Sequence, residues 1–60
     1  MTLYIRYWNT SKFKGLYDSI EYLQEVLNKK GGVKWEISDG ADVDRIKHIL
    51  SSRGIVYDID

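Results

Sequence analysis

Sixty residues with nine basic and nine acidic side chains, no cysteine and no proline exclude several classes at once. Without thiols there is neither a disulfide staple nor a thiolate zinc site, and no apolar run exceeds three residues, far short of a membrane span. A net charge of zero argues against a protein whose main task is to coat nucleic acid.

The chain is long enough for one domain, residues 1–60, and a domain of about this size buries only roughly 60% of its unfolded surface. The neutral total hides an asymmetry. Residues 1–34 carry six Lys/Arg and three Asp/Glu, and residues 35–60 carry three and six. Such a charge split suits head-to-tail docking or orientation on a charged partner.

The first segment, MTLYIRYW, alternates. Leu3, Ile5 and Tyr7 share one face and Tyr4, Arg6 and Trp8 the other, which predicts a half-buried strand. Arg6 within its apolar part, and the lack of a small-residue cleavage site, separate it from a signal peptide. A cytoplasmic location is therefore expected. Seven residues, Asn9 to Gly15, then read as a loop, longer than the usual strand-to-helix connection of about two to six.

Leu16, Ile20, Leu23 and Leu27 recur at helical spacing. They predict a helix from about Tyr17 to Lys30, with Asp18 and Glu21 as its capping pair and Lys29, Lys30 and Gly31 as its stop. Val33, Trp35 and Ile37 alternate again as a second strand. Val43, Ile46, Ile49 and Leu50 form a second helical stripe, predicting a helix from about Ala41 to Arg53. Asp39, Asp42 and Asp44 crowd its start and Gly54 caps its end. Ile55, Tyr57 and Ile59 share a face of a third strand, with Val56, Asp58 and Asp60 opposite.

The order β-α-β-α-β predicts a two-layer α/β domain. Its sheet should have three strands, at least partly parallel, with two helices mainly on one face. The other face would then be open and carry Tyr4, Arg6 and Trp8 beside Lys34, Glu36, Val56 and Asp58. Tyr, Trp and Arg dominate protein interface hot spots because they desolvate a large area and keep a polar tip. These three are the expected contact centre, with Lys12, Phe13 and Lys14 of the loop at its rim. The structural alternative is that Phe13 tucks under the helix and the two lysines are solvated. The aromatic trio could also stack unpaired bases, but Asp58 and Asp60 would meet phosphates on the same face.

Other candidates are weaker. Asp39, Asp42 and Asp44 lack the ligand order of a calcium loop and suit a helix start better. Asp44 and His48 lie one turn apart, where an exposed ion pair explains them without a catalytic role, and no nucleophile accompanies them. No metal, cofactor or catalytic group is expected. The reading is a small non-enzymatic protein-binding module, acting as a regulator, inhibitor or accessory subunit of a larger protein. The alternatives are a weak single-stranded nucleic-acid binder and a self-associating homodimer.

Overall fold

The computed structural model describes all residues from Met1 to Asp60. Leu3 and Ile5 alternate with Thr2 and Tyr4 in strand β1, Thr2–Ile5, burying the apolar pair. The strand ends three residues earlier than its alternation suggests. Arg6 is extended, and Tyr7–Asn9 then wind into a single 3₁₀ turn held by Asn9 N–H donating to Arg6 C=O at 2.8 Å. Thr10 Oγ1 donates to Tyr7 C=O at 2.8 Å, and helix α1 follows directly, Thr10–Ser19.

The stretch expected to be a loop is thus the first half of a helix. The reason is Phe13, which is 1% exposed and sits against Trp35 with ring centroids 5.1 Å apart, edge to face. Tyr17, one turn further on, packs on the same indole at 4.8 Å. A loop could not present both rings to one side; one helical face does. Asp18 consequently lies inside α1, paired with Lys14 at 3.7 Å, and caps nothing.

At Ile20 the backbone becomes extended, and a second short helix, α2, runs from Glu21 to Val26. Gln24 stabilises the break: its side-chain amide donates to Tyr17 C=O and Asp18 C=O at 3.0 and 3.1 Å, satisfying carbonyls that the end of α1 leaves free. The predicted single helix from Tyr17 to Lys30 is therefore two helices and a strand. Leu27 leaves the helical register to pair with Ile37, and Leu27–Gly31 form β2, joined by a hairpin to β3, Lys34–Ile37. Gly31 and Gly32 both take positive φ in the turn, the backbone region that glycine enters without a steric penalty. The Lys-Lys-Gly sequence expected to stop a helix instead ends a strand.

Helix α3, Val43–Ser52, matches its prediction to within two residues. Asp42 caps it by accepting from Arg45 N–H at 3.1 Å, a role the crowd of aspartates suggested. Gly54 turns the chain with φ of +72°, and Ile55 N–H returns to Leu50 C=O. The last strand, β4, is Tyr57–Ile59.

The sheet has four strands, not three, in the order β2-β3-β1-β4, and every neighbouring pair is antiparallel. The expectation of parallel pairing fails because the second strand in the chain, β2, connects to β3 through a two-glycine hairpin instead of a helical crossover. Leu3, Ile5, Leu27, Trp35 and Ile37 from one sheet face join Phe13, Leu23, Ile46, Leu50 and Ile55 in the core. All three helices contribute to that core, so they share one layer, and the other sheet face is open.

One buried polar residue ties the end of β1 to the start of β4. Asn9 Oδ1 accepts from Val56 N–H at 2.7 Å, and Arg6 N–H donates to Val56 C=O at 3.3 Å. Asn9→Ala would strand the Val56 amide at a cost of about 1–3 kcal/mol. Asn9→Asp keeps the acceptor and should recover most of that loss in urea unfolding at neutral pH. Equal stability of the alanine variant and the parent protein would show that the bond does not hold β4.

Candidate functional site

Tyr4 stands at the middle of the open sheet face. Lys34 is opposite it on β3 and Asp58 opposite it on β4. The Lys34 ammonium lies 6.0 Å from the Tyr4 ring centroid, at the limit of a cation–π contact. The Tyr4 hydroxyl donates to Asp60 Oδ2 at 3.3 Å, and Asp60 Oδ1 accepts from Thr2 N–H at 3.1 Å. Desolvation among these neighbours raises the Tyr4 phenol above the ordinary tyrosine range, and the charge and hydrogen bond of Asp60 push it the same way. Arg6 pairs with Asp58 at 3.0 Å, both side chains remaining more than half exposed. A pair in that setting contributes about 0–1 kcal/mol to stability, so a partner can recruit either charge cheaply.

At the end of β1 this face opens into a shallow pocket of about 410 Å³, lined by Tyr4, Ile5, Arg6, Tyr7, Val33 and Asp58. Ile5, whose side chain is buried in the core, and Val33 meet there through the bond of Ile5 N–H to Val33 C=O at 2.9 Å. Tyr4 and Tyr7 supply aromatic walls, and the Arg6–Asp58 pair forms a charged rim. Beside it the 3₁₀ turn leaves Tyr7 79% and Trp8 60% exposed. Consecutive exposed aromatic residues are a large apolar surface to leave in water. They are held there because Asn9, next in the chain, is anchored below by its bond to Val56.

The six residues singled out in the sequence separate into three groups. Tyr4 and Arg6 lie on the open face and line the pocket. Trp8 is exposed beside them but belongs to the turn, not to the strand, and does not line the pocket. Lys12, Phe13 and Lys14 all sit on α1. Phe13 is core, so burial withdraws it from any contact rim. Lys14 is paired with Asp18, and Lys12 reaches toward Gly54, its Nζ 3.3 Å from where a Cβ would stand. That position is just past the end of α3, where a cation meets the negative end of the helix dipole.

Ile5, Tyr7, Val33 and Asp58 complete the lining, and the alternation puts Tyr7 on the same strand face as Leu3 and Ile5. The signal that could have moved it is Asn9-Thr10 immediately downstream, a polar pair that ends the alternation.

No group of three His, Cys, Asp or Glu side chains is gathered to hold a metal. The ion pairs are those of the N-terminus with Glu36, Arg6 with Asp58 and Lys14 with Asp18. Asp44 and His48 therefore do not form the pair their spacing suggested. No helix is long and apolar enough to cross a membrane. Neither a family model, nor a curated protein, nor a solved structure matches the chain.

Proposed function

We propose that this chain is a small non-enzymatic protein-binding module, acting in the cytoplasm as a regulator, inhibitor or accessory subunit of a larger protein. The observation that carries the reading is the exposed Tyr7-Trp8 pair beside Arg6 and the pocket lined by Tyr4, Tyr7 and Val33. Aromatic residues and arginine around a depression are the composition of interface anchors. The pocket accepts one apolar side chain of the partner, the aromatic pair covers the surface around it, and the Arg6–Asp58 rim sets orientation. A cysteine-free chain has no disulfide to gain in an oxidising compartment, which fits the cytoplasm.

Nucleic acid is the lesser reading. Glu36, Asp58 and Asp60 share the face with Arg6 and Lys34 and would repel phosphates there.

Affinity capture with the parent protein, followed by titration of the captured species, tests the proposal. Trp8→Ala should leave stability within about 0.5 kcal/mol, as for other exposed positions. It should weaken binding by about 2 kcal/mol or more, roughly thirtyfold in Kd. A folded Trp8→Ala protein of unchanged affinity would remove the anchor and with it the assignment. Capture abolished by nuclease, with an affinity falling on a log-log salt slope of about 0.7 per phosphate contact, would transfer the face to single-stranded nucleic acid.

A further inference from the structure

The sheet has two free edges, and their backbone parity follows from its hydrogen bonds. Arg6 N–H donates to Val56 C=O and Asp60 N–H to Thr2 C=O. The even-numbered residues of the last strand thus face β1, and Tyr57 and Ile59 turn their N–H and C=O groups outward. At the opposite edge Ser38 N–H donates to Val26 C=O. With Asn28 paired to Glu36 two residues on, the outward groups of β2 are the N–H and C=O of Lys29 and the C=O of Leu27, whose N–H is taken by Leu23 C=O at the end of α2. Unpaired strand groups of this kind are a template for another strand.

Three features say which strand fits. The first is direction. With all pairs antiparallel in the order β2-β3-β1-β4, β4 runs opposite to β2. A second copy displaced across the sheet, without being turned over, therefore brings its β2 antiparallel against β4 and keeps every helix on one side. The second is side-chain parity. Tyr57 and Ile59 pair with Ile5 and Leu3 and so point to the helical face, the face that Leu27 and Lys29 also share through Ile37 and Trp35. Residues that would bond directly across the junction thus have side chains on the same side, as an antiparallel pair requires.

The third feature is charge. Strand β2 carries Lys29 and Lys30 and no acid, while β4 and the residue after it carry Asp58 and Asp60 and no base. Like charges across a strand pair are destabilising and opposite charges stabilising. Asp58 and Asp60 lie on the open face with Tyr4, and Lys29 lies on the helical face, so the complement is one of edge charge: a β2–β2 contact gathers lysines, a β4–β4 contact gathers aspartates, and only the mixed contact brings opposite signs together.

We propose that copies of this chain associate head to tail, β2 of one pairing antiparallel with β4 of the next to continue the sheet. The contact is heterologous, so it propagates as an open chain unless the twist closes it into a ring. It uses the sheet edges and not Tyr7 or Trp8, although Asp58 also lines the pocket beside them.

Sedimentation velocity on the full chain up to about 1 mM, first in dilute buffer and then in about 0.5 M salt, tests the proposal. The parent protein should sediment faster as concentration rises, and salt should reduce the effect. Lys29→Glu with Lys30→Glu should raise the dissociation constant at least about tenfold, as should Asp58→Lys with Asp60→Lys. An equimolar mixture of the two charge-reversed proteins should associate again, because each restores the complement of the other.

Asp58 and Asp60 also bond within the fold, so circular dichroism must show that variant folded. Should it be unfolded, Lys29→Pro decides instead, because it deletes an outward N–H from an exposed position of an edge strand and should weaken association equally. A monomer at every concentration overturns the proposal, as does association indifferent to the lysine reversal and to Lys29→Pro. So does a folded mixture that stays dissociated. Association lost in Trp8→Ala but kept in the edge variants overturns it in favour of contact through the aromatic surface.

Discussion

Phe13→Ala is expected to unfold most of the protein at room temperature. A chain of this length holds about 3–9 kcal/mol of stability in all, and removing a buried phenylalanine costs about 3–5 kcal/mol. Phe13 is 1% exposed and meets Trp35 edge to face, with Tyr17 from the same helical face packed on the same indole. The ring joins α1 to β3 across the interface between layers, so the neighbouring rings cannot collapse into the gap without moving a helix. Phe13→Leu keeps most of the volume and should retain a cooperative transition at a lower midpoint. Far-UV circular dichroism against temperature reads both variants. A Phe13→Ala protein that melts within a few degrees of the parent would mean that the ring is solvated and that α1 is not docked as described.

Leu50→Ala is expected to cost about 2–5 kcal/mol. Its side chain is fully buried in the core on α3, and its C=O accepts from both Arg53 N–H and Ile55 N–H, where the chain turns toward β4. Loss of the side chain therefore loosens the helix end that starts the last strand, as well as leaving a cavity. Ser51→Ala, at the exposed neighbouring position, should stay within about 0.5 kcal/mol. Urea unfolding of the pair separates packing from helix propensity, since alanine is the better helix former at both sites. Indistinguishable midpoints for the two variants would refute the packing of α3 on the sheet.

These two residues mark what was legible in the chain and what was not. Leu50 was legible because Val43, Ile46 and Leu50 repeat on one helical face between an aspartate cap and a glycine stop. Local periodicity and capping chemistry coincide there, and nothing distant overrides them. The same holds for Leu3 with Ile5 and for Trp35 with Ile37, whose alternation is that of strands with one covered face.

That Phe13 tucks under a helix was one of the two readings the sequence offered, but that its own stretch is helical was not legible, because it is the one large apolar residue within a polar stretch from Asn9 to Gly15. Its helix is stabilised by an indole more than twenty positions away. Leu27 shows the same effect in reverse. It completes a helical stripe as well as it opens a strand, and its pairing with Ile37 decides between them.

The sequence by itself determined the two-layer α/β composition, the last helix and its caps, and an Arg-aromatic surface near the start of the chain. Only the tertiary structure decided that the sheet has four antiparallel strands, that Tyr7 and Trp8 leave β1 on a 3₁₀ turn, and that Asn9 anchors them to Val56. The physical reason is range. Periodicity and capping act within a few residues and are written in the local sequence. Strand order, helix breaks and the placing of a pocket are chosen by contacts between distant segments, whose energies exceed the small local preferences they override.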